Sequence, residues 1–471
     1  MMLSSTVPEA ASRLLSFVNA SPTPFHAVQT TVQRLEKVGF SKLKESDGWD
    51  KLVKPGGKYF FTRNQSTIVA FTTPQNWKQG AGLSIVATHI DSPNLRIRPI
   101  SKRTKAGYLQ VGIETYGGGI WHSWLDRDLS VAGRVITSNG SGEFKSRLIK
   151  VDRPILRIPS LAIHLDRGVN DSLKFNQETE FVPILGLISE QLNTTSESPK
   201  SSTRDVQASS IANNHHSALL SLLASELSIA PDDIFDFELR VTQLYDNQPS
   251  QLGGIANEFV FSPRMDNQFS SFCAVDALIG SLSSNSLLEG NVNCIALFNH
   301  EEVGSVSSTG AESNLIPSVL SRLSPTPDLL AQSIASSFLV SCDMGHAIHP
   351  NYTNKHEENH QPRINGGVMI KTNAKQRYTS DAIGSFLIKK LVEKKGGKVQ
   401  EYEARNDMPC GSTVGPSLST MGLRVVDVGC PMLSMHSIRE TAGTSDVQSC
   451  IDLFQSLFEN FAQLDAKLVA E

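Results

Sequence analysis

The amino-acid sequence predicts an α/β protein: a mixed, largely parallel sheet flanked by helices, interrupted by an inserted β-rich domain. Three observations carry this. Four short apolar, β-rich runs, at 83–89, 294–298, 338–342 and 423–428, each end in or lead toward polar residues. Segments of helical periodicity lie between them, and continuous apolar strands separated by helices mark a parallel sheet covered on both faces. From about 96 to 245 the pattern changes to short β-type runs broken by glycine and proline. The chain has 471 residues, beyond the roughly 250–300 at which a single core stops growing, so more than one domain is expected.

Taken in order, two helices open the chain, at 9–19 and 24–38, parted by Ser21-Pro22-Thr23-Pro24. Leu14, Leu15 and Val18 give the first an apolar stripe. The first β-rich run follows and closes the first half of a discontinuous outer domain, 1–95 and 246–471. The insert, 96–245, holds β-type runs at 108–116, 129–136 and 155–164, split by Gly117-Gly118-Gly119 and by Pro154 and Pro159. Within it, 193–214 is rich in Ser and Thr and is expected to be a mobile loop. Ser380-Asp381 caps a helix through Phe386, Leu387 and Leu391, which Gly396-Gly397 ends. The last helix, from about 445, places Val447, Ile451, Phe454, Phe458 and Phe461 on one face. No internal repeat of solenoid or propeller period is present.

Composition narrows the function classes. With 39% hydrophobic and 19% charged residues the chain reads as an ordinary soluble globular protein. A formal charge of -4 leaves no basic footprint for nucleic acid. The six cysteines are far apart, with no Cys-x-x-Cys pair, which argues against cysteine zinc ribbons and redox motifs and for reduced, mostly buried thiols. Glu9 and Arg13 interrupt the apolar pattern of the start, so no secretory signal is read, and no run nears the roughly 20 apolar residues that span a bilayer. A cytoplasmic protein is expected; selective delivery to a vacuole or lysosome would leave no readable mark.

The chemistry lies at the ends of the apolar runs. His89, Asp266, Glu302, Asp343 and His436 are imidazoles and carboxylates, the donors zinc takes. Two histidines and three acids suffice for two zinc ions if one carboxylate bridges them, and sheets of this kind bind ligands at the carboxyl ends of their strands. Asp91 follows His89 by two residues and would orient its ring, although the two could equally be a plain hydrogen-bonded pair. In Glu301-Glu302 the second acid would hold metal and the first would act as general base toward water; an acid-rich helix start is the simpler alternative. Asp266 could bridge two cations or merely form a turn with Asn267. Asp343 follows an apolar run, where a bare charge costs several kcal/mol unless a cation compensates. The histidines of 346–360 could bind metal or simply be exposed, and Gly411-Ser412-Thr413 could be an anion nest or a turn. Gly304–Gly310 lacks the Gly-Lys-Ser/Thr of a P-loop, so nucleotide binding is not expected.

Read together, Thr88-His89-Ile90-Asp91-Ser92-Pro93, Arg264-Met265-Asp266-Asn267, Asn299-His300-Glu301-Glu302-Val303-Gly304, Asp343-Met344-Gly345-His346-Ala347 and Met435-His436-Ser437 resemble the aspartyl aminopeptidase family. The similarity extends from Ser21-Pro22-Thr23-Pro24-Phe25-His26 nearly to the end. It implies a zinc exopeptidase-type peptidase domain, an insert that serves dimerisation, and a tetrahedral dodecamer built from dimers with active sites facing an inner chamber. By the same resemblance His89, Asp266 and Asp343 hold one zinc, and Asp266, Glu302 and His436 the other, with Mn2+ or Co2+ as substitutes. Glu301 matches the catalytic base and Asp91 the acid behind His89. His164 matches a residue reaching a neighbouring subunit's active site, Lys371 the partner of the substrate's acidic side chain, and His349 and Tyr378 other pocket positions. The implied reaction is release of N-terminal Asp or Glu from peptides. A broad neutral aminopeptidase on the same scaffold and a non-catalytic scaffold or cargo protein are the alternatives.

Overall fold

The structure, a computed structural model, describes residues 8–138, 143–190, 210–237, 243–284, 287–288 and 290–469. The chain divides into two compact units, 1–92 with 250–471, and 93–249.

In the first unit, nine strands among the described residues form the main sheet. Its centre runs Val292–Phe298, Leu83–His89, Phe338–Cys342 and Arg424–Gly429, all mutually parallel. These are the four apolar runs of the sequence, and every residue of the first three is buried. Burial on both faces explains why they lack polar alternation. Val86 packs into one apolar cluster while Ile85 and Ala87 point into another, as the period-two pleat requires. Helices Glu9–Ala20, Pro24–Lys37, Met265–Gly280, Ala382–Glu393 and Thr444–Asp465 contribute to the first cluster, and Leu315–Leu323 with Val414–Ser419 to the second.

Local signals explain the helix ends. The Thr23 hydroxyl accepts the His26 N–H and Pro24 occupies the first turn. Asp381 accepts the Gly384 N–H at 2.6 Å, and Gly396, at φ +75, follows the end of that helix. The terminal helix buries the expected Val447, Ile451, Phe454, Phe458 and Phe461. Phe454 is fully buried, so Phe454→Ala should cost about 3–5 kcal/mol, measured as a lower urea midpoint with unchanged slope. No helix among the described residues is long and apolar enough to cross a membrane. The cysteines are free thiols, all buried except the partly exposed Cys410.

A second sheet in this unit, of five strands among the described residues, runs Gln251–Gly253, Phe259–Ser262, Glu440–Gly443, Pro431–Leu433 and Gly345–His346.

The second unit is an antiparallel sheet containing Asn94–Lys105, Tyr108–Tyr116, Leu129–Ser138 and Gln243–Asp246. Tyr108–Tyr116 is a strand as expected, and Gly117, at φ +76, follows its end. The run at 155–164 is a correction: it makes only the isolated bridges Leu129↔Leu156 and Arg157↔Ile184, and residues 163–165 form a turn. Pro154 and Pro159 lack the N–H donors a ladder needs. Of the loop expected at 193–214, residues up to 209 lie outside the described residues, and Ser210–Asn214 is a short helix.

Candidate metal centre

The main sheet brings three of the five ligand candidates, and Glu301 with them, to its carboxyl edge. His89 is the last residue of its strand, Asp343 directly follows Phe338–Cys342, and Glu301 and Glu302 form a 3-10 turn just beyond Val292–Phe298. Asp266 opens the helix Met265–Gly280 with a non-helical φ of -85° and ψ of 102°, and the peptide bond after it is cis. His436 comes from the small sheet, at φ +68 between Pro431–Leu433 and Glu440–Gly443.

Asp266 divides the cluster in two. Its Oδ1 lies 3.2 Å from His89 Nε2, which is also 3.2 Å from Asp343 Oδ1. Its Oδ2 lies 3.3 Å from His436 Nε2, which is also 3.3 Å from Glu302 Oε2. Donors held 2.0–2.1 Å from a tetrahedral zinc stand ~3.3 Å from one another, the spacing both halves already have. One donor atom each from His89, Asp266 and Glu302 lie within 4.8 Å of one another, and no second such group occurs among the described residues. Glu302 Oε1 is buried without a hydrogen bond, and an unpaired buried carboxylate oxygen calls for a cation. The donor set therefore fits zinc.

Electrostatics agree. Burial opposes a charge on His89, yet Glu301, Asp266 and Asp343 together raise its imidazole well above the ordinary range. Asp266 stays below the usual carboxylate range despite its burial, because His436 and His89 both donate toward it. Burial and crowding by neighbouring acids raise Glu302 well above, and Asp343 above, the usual carboxylate range. Glu301 is pushed up to about 8 by burial, with Asp343, Asp91 and Asp266 adding to it against His89. Glu440 also reaches about 8, through burial and the charge of Asp266. Positive ions beside such acids reverse this by favouring the ionised forms.

Asp91 does more than its sequence position indicates. The nearest partner of His89 Nδ1 is the Asp91 backbone carbonyl, at 3.0 Å, with carboxylate Oδ1 farther at 3.5 Å. The Asp91 carboxylate accepts the N–H groups of Glu301 and Glu302, each at 3.2 Å, and so anchors the turn that presents both acids. Glu301 Oε2 stands 3.8 Å from His89 Nε2.

Lys371 is 1% exposed; its Nζ donates to the Met344 carbonyl at 2.8 Å and lies 3.9 Å from Asp343 Oδ2. It also sits 5.3 Å from the centroid of the Tyr378 ring, which meets Tyr402 edge-on at 6.3 Å. Tyr402, His346 and His349 line one cavity of ≈400 Å3 with Tyr352 and Met432. His164 lies in the other unit, on an exposed turn. A larger cavity, of ≈560 Å3, belongs to that unit and includes none of the candidate residues.

The histidine-rich stretch pairs within itself: the His349 N–H donates to His356 Nε2 at 3.2 Å, and His360 Nδ1 meets Glu357 Oε2 at 2.5 Å. Thr413 is a cap, its hydroxyl accepting the Gly415 N–H and donating to the buried Asp427. Two contributors escape the sequence reading. Tyr402 carries no motif around it, and Glu440 is signalled only by an acid in a β-type run four residues after His436.

Residues 17–458 match the family described as aminopeptidase I zinc metalloprotease (M18). An aspartyl aminopeptidase of Aspergillus oryzae is 47% identical over 490 residues, covering 98% of this chain and 97% of that protein. Aspartyl aminopeptidase 1 of Schizosaccharomyces pombe is 48% identical, with 100% and 98% covered. A chain in the cryo-EM structure of the Ape4 and Nbr1 complex, 48% identical, superposes with a TM-score of 0.92 over 98% of this chain and 87% of that one. A chain of the Saccharomyces cerevisiae mApe1 dodecamer, 27% identical, gives 0.85 over 98% and 99%. By sequence and by fold, this chain belongs to the M18 family of zinc metalloproteases.

Proposed function

We propose that this M18 enzyme, a zinc-dependent aminopeptidase, holds two zinc ions and releases N-terminal Asp or Glu from peptides. The observation that carries the reading is Asp266, whose two oxygens face two separate imidazoles at zinc-ligand spacing. His89, Asp266 and Asp343 would hold one ion; Asp266, Glu302 and His436 would hold the other. Zinc supplies Lewis acidity and lowers the pKa of water.

The chain's own groups do the rest. Glu301, beside the His89 ring, accepts the proton of the attacking water and passes it to the departing amine. Asp91 keeps the Glu301–Glu302 turn and the His89 ring in register. Lys371 pairs with the acidic side chain of the substrate, with His349 and Tyr378 shaping the pocket around it. The name shared by the relatives from Aspergillus oryzae and Schizosaccharomyces pombe supports the acidic preference. A homo-oligomer is supported by the mApe1 dodecamer; in a tetrahedral dodecamer built from dimers through the insert, His164 would reach a neighbouring subunit's site. The free thiols suit the reducing cytosol.

The test is hydrolysis of Asp-, Glu- and Leu-p-nitroanilide before and after chelation, with zinc, manganese or cobalt added back. Chelation should reduce cleavage of the acidic substrates to background, and zinc should restore it. Activity that survives complete metal removal would overturn the metal reading, and equal cleavage of the Leu substrate would overturn the acidic preference.

A further inference from the structure

Glu440 opens the strand Glu440–Gly443 and is 2% exposed. Its carboxylate faces two backbones. Oε1 accepts the N–H of His436 at 2.7 Å, and Oε2 accepts the N–H of Asp266 at 3.1 Å. Both backbones are irregular there: His436 has φ +68, and Asp266 has non-helical angles at a helix start. Buried N–H groups at such places need an acceptor from a side chain. The same two residues supply Asp266 Oδ2 and His436 Nε2, 3.3 Å apart, on the half of the cluster shared with Glu302.

We propose that Glu440 is a positioning residue for the metal held by Asp266, Glu302 and His436. One carboxylate ties the backbones of two ligands at a set spacing, and its charge favours a dication nearby without occupying a coordination position. This rests on the ligand assignment proposed above. The residue type follows from the hydrogen bonds. Two N–H donors converge on two oxygens, and a carboxylate offers two acceptors where an amide offers one oxygen and an NH2 group. Glu440→Gln therefore keeps the volume and loses one of the two ties. Loss of such outer support weakens metal binding by roughly 10–100-fold.

The experiment counts zinc per subunit during titration with a chelator and records thermal melting of the metal-free and zinc-loaded forms. Wild type should hold two zincs. Glu440→Gln should lose one of them at roughly 10–100-fold lower chelator concentration. Its metal-free form should melt somewhat below wild type for the lost tie, while the zinc-dependent rise in Tm shrinks. Glu440→Asp keeps the charge and both acceptors on a shorter stem, should fall between the two, and decides the matter alone if Glu440→Gln does not fold. A merely structural role predicts lower melting of both forms with the zinc-dependent rise unchanged. That result, or zinc retention equal to wild type, overturns the proposal. A wild-type protein that never holds a second zinc overturns the ligand assignment instead.

Discussion

Glu301→Gln should lower kcat for Asp-p-nitroanilide by roughly 10²–10⁴-fold, the usual worth of a positioned general base, while zinc content and KM stay near wild type. The substitution isolates basicity. The Glu301 backbone N–H bond to Asp91 Oδ1, at 3.2 Å, does not involve the side chain, so the turn presenting Glu302 persists. Gln fills the same volume 3.8 Å from His89 Nε2 and cannot take up a proton. Burial first and neighbouring acids after push the Glu301 carboxyl up to about 8. Cations held by the neighbouring ligands would lower it and keep it ionised at neutral pH, the form that accepts protons. Steady-state kinetics together with zinc analysis check this, and a metal-loaded variant with wild-type kcat would remove Glu301 from the role of base.

Lys371→Met should collapse the preference for acidic over neutral substrates. A hydrogen bond to a charged group is worth about 1.5–3 kcal/mol, so the ratio of kcat/KM for Asp- over Leu-p-nitroanilide should fall by roughly 10–150-fold. The Lys371 side chain runs through a passage that has no room for neighbouring side chains. A Cβ on Gly429 would stand 2.0 Å from the Asp343 carbonyl and 3.0 Å from Lys371 Cε, and one on Gly345 would stand 1.9 Å from Met369 Cε. Met follows the same path without the charge and leaves the Met344 carbonyl without its Nζ donor. Because Nζ lies 3.9 Å from Asp343 Oδ2, zinc content must be measured in parallel. An unchanged Asp-to-Leu ratio would remove Lys371 from substrate selection.

Much of the fold is legible in the sequence because its central strands are buried on both faces. Four apolar-rich runs therefore stand out and become the four parallel central strands. The helix from Thr444 is legible for a related reason: burying one face of a long helix imposes a periodicity that survives in the sequence. The run at 155–164 misleads because its apolar residues resemble a strand, whereas the prolines decide that it pairs only at isolated bridges. His89, Glu301, Glu302 and Asp343 are legible as candidates because each follows an apolar run at the edge where such sheets bind ligands.

By itself the sequence determined the α/β class and the identity of the acids and imidazoles, since burial periodicity and residue chemistry are local properties. Only the tertiary structure decided that Asp266 turns one oxygen to His89 and the other to His436. The same holds for the Asp91 carboxylate, which serves the Glu301–Glu302 turn, and for Glu440, which ties Asp266 to His436. Those contacts join residues up to 211 positions apart, as Asp91 to Glu302, and which oxygen meets which hydrogen at such separations is set by packing, which no local pattern records.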